Sequence, residues 1–264
     1  MNTRAQANIG NLTNLWRLMG AEQRTLGTGT TLHVSKAWPH RRWLDWDKAL
    51  TEADVPSLRA ALRDDRPVVM PVWPGAHPEL LRGLGGAGLE PGFTQLGMYR
   101  PRTLALGDKR SGEVGSELGR LALIDVETES SIHAWTRTAS LSFGYAIDVP
   151  VIAGIVGSPG VQLLIATLGD EPVGTSMLFE DTHAVGVHMV GVLPTHRRRG
   201  LAREIMFETL RRARDAAAAN VVLQASQLGE PLYRSLGFEA QFVLTNYMTP
   251  RADARASASA SASA

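Results

Sequence analysis

The sequence predicts an α/β protein of two lobes, each with helices packed on a mixed sheet. Short apolar runs typical of strands alternate with segments in which apolar residues recur every three or four positions, as in amphipathic helices. With 264 residues, of which 44% are hydrophobic and 20% charged, the chain is long enough for two packed domains. The polar, glycine-bearing segment 104–117 is predicted to link lobes at 1–103 and 118–250.

The elements of the first lobe are predicted from periodicity and from the residues that interrupt it. Apolar residues on one face predict a helix over 11–19, and the stretch 30–46 predicts one or two strands broken near Pro39. The next three elements are a helix, a buried strand and a short helix that runs into a glycine-rich stretch, at 55–62, 67–73 and 77–84.

The second lobe is predicted to contain five strands and three helices. A glycine-bearing turn at 169–171 between two apolar runs predicts a hairpin, and the helix after residue 200 places Ala202, Met206 and Leu210 on one stripe. In chain order we expect a helix, a hairpin of two strands, a strand, a helix, a strand, a helix and a strand, at 130–143, 162–168, 172–179, 185–193, 202–219, 221–224, 229–236 and 241–247.

Two segments of the chain resemble each other. Residues 88–93 read Gly-Leu-Glu-Pro-Gly-Phe and residues 237–242 read Gly-Phe-Glu-Ala-Gln-Phe. Each follows a predicted helix, each precedes an apolar strand, and each strand ends near a proline at the same offset, Pro101 and Pro250. We interpret the pair as the trace of a degenerate tandem repeat.

Composition excludes several classes of function. The net charge of +1 argues against general nucleic-acid binding, and the absence of cysteine excludes disulfides, thiolate nucleophiles and cysteine metal sites. Neither a signal peptide nor a membrane-spanning run is recognisable, so we expect a cytoplasmic protein with no membrane partner. His183 and His188 lack a third ligand, so no metal is expected, and the Ala/Ser tail at 251–264 is expected to be disordered.

A basic loop between a strand and a helix is the most informative feature. A helix start offers free backbone N–H groups and the positive end of the helix dipole, and a glycine lets a ligand approach the backbone closely. Arginines could simply form a solvated loop, but at a helix start they are unfavourable without an anion. The loop therefore predicts an enzyme that holds a pyrophosphate-bearing donor, and it consists of Arg197, Arg198, Arg199, Gly200, Leu201 and Ala202.

This loop and a second segment carry a resemblance to a known family. Residues 197–202 fit the pattern Gln/Arg-x-x-Gly-x-Gly/Ala after a strand, and residues 232–238 fit Leu-Tyr-x-x-Leu-Gly-Phe. In this order and at this spacing, residues 120–248 resemble the GNAT superfamily of acyl-CoA-dependent N-acyltransferases. The resemblance implies a GNAT fold, with the first lobe as a degenerate copy.

The resemblance implies that acetyl-CoA or another acyl-CoA is the co-substrate. The N–H groups from Arg199 to Ala202 would hold its pyrophosphate, with the side chains of Arg197 and Arg199 beside it. The strand at 185–193 would splay from the strand at 221–224 and pair with the pantetheine. The donor-binding residues so implied are Val190, Val192, Arg197, Arg198, Arg199, Gly200, Leu201, Ala202 and Ser226. Many family members have an asparagine where this chain has Ser226.

Catalytic roles are implied for Tyr233 and considered for His188. Tyr233 matches the family's tyrosine that protonates the departing thiolate; its alternative is a packing aromatic. The family often uses a glutamate on the strand before the loop, and none stands between 185 and 193. His188 on that strand is therefore the candidate base, because histidine can take a proton near neutral pH; an ordinary strand side chain, with a water chain as base, is the alternative.

The predicted reaction is direct attack of an amine, most simply a small molecule, on the thioester. No residue is evident for a covalent acyl-enzyme. Two alternatives stay open. The donor could be an aminoacyl-tRNA or an acyl group on a carrier protein, with Lys36, Arg41 and Arg42 extending a basic face. The protein could instead bind coenzyme A without catalysis.

Overall fold

The structure, a computed structural model, describes residues 3–46, 48, 50–63, 67–106 and 121–250. Helices and strands alternate along these ranges. The helices are α1 (Thr3–Leu18), α2 (Val55–Leu62), α3 (Pro78–Gly86), α4 (Glu129–Phe143), α5 (Val149–Ile155), α6 (Leu201–Arg212) and α7 (Glu230–Ser235). The strands are β1 (Ala21–Thr25), β2 (Thr31–Ser35), β3 (Arg42–Leu44), β4 (Val69–Val72), β5 (Glu90–Pro101), β6 (Leu121–Asp125), β7 (Val161–Leu168), β8 (Glu171–Glu180), β9 (Val185–Val192), β10 (Asn220–Ala225) and β11 (Glu239–Met248).

The chain divides into two compact units, whose boundaries fall inside β5 and β11. The first unit comprises Met1–Met19 and Leu96–Gln241, and the second comprises Gly20–Gln95 and Phe242–Ala264. The division differs from the predicted lobes, because α1 and the end of β5 belong to the first unit. Most of the predicted linker at 104–117 and the whole tail at 251–264 lie outside the described residues.

The sheet of the first unit has the strand order β5-β10-β9-β8-β7-β6. Its pairs are antiparallel except for β9 and β10, which run parallel. Val185 and Val187 of β9 belong to the apolar cluster that includes Met206 of α6. Gly186 lies on the opposite face of β9, where a Cβ would come within 1.9 Å of the Asn11 side chain of α1. The two helices therefore cover opposite faces of the sheet.

The second unit holds a three-stranded sheet, β1-β2-β3, and the antiparallel pairing of β4 with the end of β11. Helices α2 and α3 contact each other, and Leu58 and Leu84 from them lie in the apolar core of this unit. Trp38 and Trp43 are buried in this unit.

The order of helices and strands recurs along the chain. The order β1-β2-β3-α2-β4-α3-β5 recurs as β7-β8-β9-α6-β10-α7-β11. Helices α3 and α7 end alike: Leu89 N–H donates to Leu84 O and Phe238 N–H to Tyr233 O, both over 3.0 Å, around a glycine at positive φ. Leu84 is thus the counterpart of Tyr233. The last strand of each repeat pairs with a strand of the other repeat: β5 pairs with β10, and β11 pairs with β4.

The structure differs from the predicted elements in three ways. Helix α1 begins at Thr3 rather than at residue 11; the part missed by the prediction buries Asn8 as well as Ala5 and Ile9, so its inward face is not marked by apolar residues alone. Helix α6 ends at Arg212 rather than at 219, since the N–H groups of Ala217 and Ala218 donate to the Glu180 carboxylate instead. The short elements β1, β6 and α5 were not predicted. None of the described helices is long and apolar enough to cross a membrane.

Candidate functional site

The start of α6 is built to leave backbone N–H groups free. Its N-cap is Gly200, with φ +81° and ψ −9°, and no side chain caps the helix. The N–H groups of Arg203 and Glu204 turn back to Gly200 O, over 2.9 and 3.3 Å. The N–H groups of Leu201 and Ala202 precede them and meet no capping side chain. This arrangement favours an anion at the helix start, as the sequence predicts.

The three arginines of the loop do different things. Arg197 Nε donates to Val192 O over 3.2 Å, and its Nη2 donates to Ser142 O over 2.7 Å, so this side chain joins β9 to the end of α4. Arg198 and Arg199 are exposed, and Arg198 has a left-handed φ of +62°. Arg197 is exposed as well, but its guanidinium group is engaged with these two backbone carbonyls, so the loop arginines that can turn to an anion are Arg198 and Arg199.

Strands β9 and β10 separate, as predicted for a slot. Their parallel register joins Val221 to Val185 and Val222 to Gly186, and has no further pair although both strands are fully described. Leu193 N–H donates to Val173 O across to β8. By the alternation of an antiparallel ladder, the peptide groups of Val190 and Val192 therefore point to the other edge of β9, toward the gap. The Val192 carbonyl there accepts the bond from Arg197, and the peptide N–H groups remain for a ligand.

A β-bulge lies in the middle of β9. The register with β8 shifts between Thr175 and Met177, and Met189 has a φ of +52°. The fully buried Thr175 donates its hydroxyl hydrogen to Met189 O over 2.8 Å. Positive φ at a non-glycine residue costs about 1–3 kcal/mol and persists only where its surroundings enforce it. Bulges of this kind are common beside active sites, where they redirect the backbone.

Tyr233 lies on α7, the helix that follows β10. Its half-buried ring meets Phe238 edge-on, with 6.0 Å between the ring centroids and an angle of 69°. Tyr233 and Val190 pack against the same apolar cluster. Burial raises the pKa of Tyr233 to about 12, so the hydroxyl keeps its proton at neutral pH. The predicted proton donor and a residue of the strand predicted to hold the pantetheine thus border one apolar cluster.

The hydroxyl of Ser226 serves the turn into α7. Its Oγ accepts from the N–H of Gly229 over 3.2 Å, and its carbonyl accepts from Gly229 and Glu230. This local role accounts for a serine here without any ligand.

His188 lies on the other face of β9, beneath α1. It is buried, with 8% of its surface exposed, and its Nε2 lies 3.1 Å from Asn11 Oδ1. Burial lowers the pKa of His188 to about 4, although the charge of Asp181 acts in the opposite direction. A base of this strength takes a proton poorly from an ammonium group near neutral pH. The surroundings of His188 therefore argue against the role of general base.

Sequence reasoning missed the polar residues of α1. Asn8 and Asn11 are fully buried; Asn8 accepts a hydrogen bond from Gln224 of β10, and Asn11 lies 3.1 Å from His188 of β9, so the two contact the strands on opposite sides of the gap. Their spacing of three, continued by Asn14, indicates one face of a helix and is the signal that could have found them.

The side chains considered as a basic face for a tRNA or carrier donor, those of Lys36, Arg41 and Arg42, have partners within the protein. Arg42 is buried and donates to Ala61 O. Arg41 donates to Asn246 over 2.8 Å and lies 5.7 Å from the centre of the Phe93 ring. Lys36 Nζ lies 3.9 Å from Glu22 Oε1, so all three cations are engaged within the second unit. The described residues also contain no group of three His, Asp or Glu side chains placed to hold a metal ion.

Comparison with known proteins gives one family and one fold. Residues 163–241 match the family model described as an acetyltransferase (GNAT) domain. A GCN5-related N-acetyltransferase from Kribbella flavida has a similar structure, with 18% identity over 95% of this chain and 97% of that chain and a TM-score of 0.68. A GNAT-family acetyltransferase from Novosphingobium aromaticivorans shares 14% identity over 93% and 95% of the two chains, with a TM-score of 0.55. A protein of unknown function from Staphylococcus epidermidis shares 14% over 87% and 94%, with a TM-score of 0.56. No curated protein matches the sequence.

Proposed function

We propose that this chain, whose residues 163–241 match an acetyltransferase (GNAT) domain and whose fold is similar to that of a GCN5-related N-acetyltransferase, is an N-acyltransferase that moves an acyl group, most simply acetyl, from coenzyme A to a small-molecule amine. The observation that supports the proposal is that two features follow each other along the chain, the open edge of β9 and the uncapped helix start at Gly200. One feature suits a pyrophosphate and the other suits an extended chain with amide groups, and coenzyme A contains both.

The donor is held by backbone and by charge. The N–H groups of Leu201 and Ala202 bind the pyrophosphate, and Arg198 and Arg199 add two exposed cations beside it. The peptide N–H groups of Val190 and Val192 and the Val190 carbonyl pair with the pantetheine amides along the edge that β10 leaves. Arg197 acts indirectly, by tying the loop to β9 through the Val192 carbonyl.

The reaction is direct attack of the amine nitrogen on the thioester carbonyl carbon. The new C–N bond forms, the C–S bond breaks, and the electron pair leaves with sulfur. The Tyr233 hydroxyl stabilises that sulfur. Its pKa of about 12 keeps it protonated, but full transfer to a thiolate whose acid has a pKa of about 8.5 is uphill. We therefore assign Tyr233 a hydrogen bond to the developing thiolate, which completes its protonation from solvent.

The amine must be neutral when it attacks. With His188 buried and weakly basic, the surplus proton leaves to water. In this scheme the rate rises with pH until the acceptor's own ammonium group is titrated, and no enzyme base limits it in the neutral range.

Mass spectrometry of the protein as purified tests the proposal, followed by calorimetric titration with coenzyme A and a thiol-release assay across an amine library. Bound coenzyme A and thiol release with at least one amine are expected. Tight coenzyme A binding without turnover across the library would favour a non-catalytic coenzyme A protein. A salt-dependent affinity for tRNA, with none for coenzyme A, would favour an aminoacyl-tRNA donor.

A further inference from the structure

Three asparagines follow one face of α1. Asn8, Asn11 and Asn14 are three residues apart, so each lies one turn beyond the last. Asn8 and Asn11 are fully buried. Polar side chains buried this deeply are costly unless they are hydrogen-bonded, so their partners show what the helix is fixed to.

Asn11 is fixed to β8 and β9. Its Nδ2 donates to Phe179 O over 3.0 Å and to Ala184 O over 3.1 Å, at the two ends of the turn that joins these strands. Its Oδ1 lies 3.1 Å from His188 Nε2, and since the amide nitrogen is the donor, the imidazole donates here. A Cβ on Gly186 would come within 1.9 Å of Asn11 Oδ1, so a glycine at this position is needed to leave room for the Asn11 side chain.

Asn8 is fixed to β10 and β5. Its Nδ2 donates to Met98 O over 2.9 Å and lies 3.4 Å from Leu223 O. Its Oδ1 accepts from Gln224 Nε2 over 2.6 Å. Leu223 and Gln224 are the first β10 residues beyond the last pair with β9, which joins Val222 to Gly186.

One turn of α1 therefore spans the point where β9 and β10 part. Asn11 lies against the last paired residue of β9, and Asn8 lies against the first unpaired residues of β10. We propose that Asn8 and Asn11 are positioning residues that hold the gap between β9 and β10 open at a fixed width before the donor arrives. The proposal rests on the proposed function, because the gap is the slot for the pantetheine. A slot fixed in advance lowers the ordering cost of binding.

His188 then has a positioning role as well. Its neutral ring, buried under α1, supplies the donor that the Asn11 carbonyl needs. This assignment explains a histidine on β9 that is too weak a base for proton transfer from the amine.

The test compares Asn8→Ala and Asn11→Ala with Asn14→Ala as the matched control. Asn14 lies on the same face of the helix but donates to Asp181 over 3.0 Å, at the β8–β9 turn and away from the gap. Calorimetric titration measures coenzyme A affinity, and amide hydrogen exchange of the free protein follows residues 187–192 and 223–225. A roughly tenfold loss of affinity is expected for the first two variants, as for a lost buried hydrogen bond. Faster exchange confined to those segments is expected with it, and neither effect in Asn14→Ala.

Turnover adds a readout that general loss of stability would not give. At saturating donor and acceptor, kcat is expected within about twofold of the wild type while the KM for the donor rises, since α1 shapes the slot and does not touch the reacting atoms. If Asn11→Ala does not fold, the test uses Asn8→Ala alone. Two partners of Asn8 are the side-chain amides of Gln224 and Gln241, which can reorient when Asn8 is lost, so this variant is expected to fold.

Wild-type affinity together with wild-type exchange in folded Asn8→Ala would overturn the proposal, and so would equal losses in Asn14→Ala. The proposed function fails differently, by the wild-type protein taking up no coenzyme A. In that case the exchange data alone decide whether α1 fixes the two strands.

Discussion

A Cβ atom on Gly229 would lie 2.9 Å from Cε2 of Tyr233, closer than side chains approach one another. The turn before α7 is therefore built around the tyrosine ring. The same turn is closed by the N–H of Gly229, which donates to the Ser226 carbonyl over 3.0 Å and to its hydroxyl over 3.2 Å. The position of the Tyr233 hydroxyl thus depends on a glycine four residues earlier.

We predict that Gly229→Ala lowers turnover far more than donor affinity. The added methyl group pushes the ring aside, and misplacement of a reacting group by about 1 Å can cost on the order of a hundredfold in rate. The affinity for coenzyme A, measured by calorimetry, is expected within about twofold of the wild type because the phosphate loop is untouched. Gly154→Ala is the control: Gly154 lies in α5 with nothing within 4 Å of an added Cβ. Unchanged turnover in Gly229→Ala would mean that the ring position does not matter.

We predict that Tyr233→Phe lowers kcat roughly a hundredfold to a thousandfold with little change in donor affinity, as for the loss of one hydrogen-bond donor to a developing negative charge. Phenylalanine keeps the ring and its edge-on contact with Phe238, so only the hydroxyl is lost. Single-turnover measurement at saturating donor and with an amine found in the library separates the chemical step from product release. Because the pKa of Tyr233 is raised to about 12, the wild type should also show no loss of kcat from this group as the pH rises to 10. A kcat within about twofold of the wild type would leave Tyr233 as a packing residue.

The local features of the site could be predicted from the sequence. The sequence shows a strand, a glycine at a helix start and a second motif with Tyr233, each of them a pattern of neighbouring residues. The backbone conformation at such places depends on residues within one or two helical turns. The structure confirms the fold class. The start of α6 at Leu201 follows from the same local signals.

The contacts that decide the role of each side chain could not be predicted. His188 and Asn11 lie 177 positions apart in the chain, so no window of sequence shows that the imidazole is buried under α1. Arg197 reads as a phosphate ligand until the Ser142 carbonyl, 55 positions away, is seen to hold it. The exchange of β5 and β11 between the repeats is likewise a matter of pairing partners, which strand periodicity does not encode.

We predict that substitutions of two arginines of the loop change different quantities, one the donor affinity and the other the stability. Arg199→Glu should weaken coenzyme A binding by more than tenfold without loss of stability, because an exposed cation beside the pyrophosphate becomes an anion at a helix start, which the helix dipole favours. Arg197→Ala should destabilise the protein by about 1–3 kcal/mol, because it leaves the Val192 and Ser142 carbonyls without their donor.

Calorimetric titration with coenzyme A at two salt concentrations and urea unfolding of both variants measure the two effects. Arg211→Glu is a matched charge reversal on α6, since Arg211 is exposed near the end of that helix and pairs with Glu208 over 2.7 Å. Unchanged affinity in a folded Arg199→Glu variant would refute the phosphate loop. Full stability of Arg197→Ala would show that its two bonds are not needed to hold the loop.

We predict that His188 makes the protein less stable as the pH falls below neutrality. Its pKa is lowered from 6.5 to about 4 by burial, so between these values the unfolded chain binds a proton that the folded chain excludes. Protonation of His188 therefore leaves the free energy of unfolding unchanged above pH 6.5 and lowers it as the pH falls toward 4, by about 2 kcal/mol at pH 5. His188→Gln removes the titration, and its amide can still donate to the Asn11 carbonyl. Urea unfolding at pH 7.5 and pH 5 should show a smaller decrease for His188→Gln than for the wild type, with the carboxylates common to both proteins cancelling in the comparison. Parallel pH dependence in the two proteins would mean that the ring is solvated and free to titrate, and it would restore His188 as a candidate base.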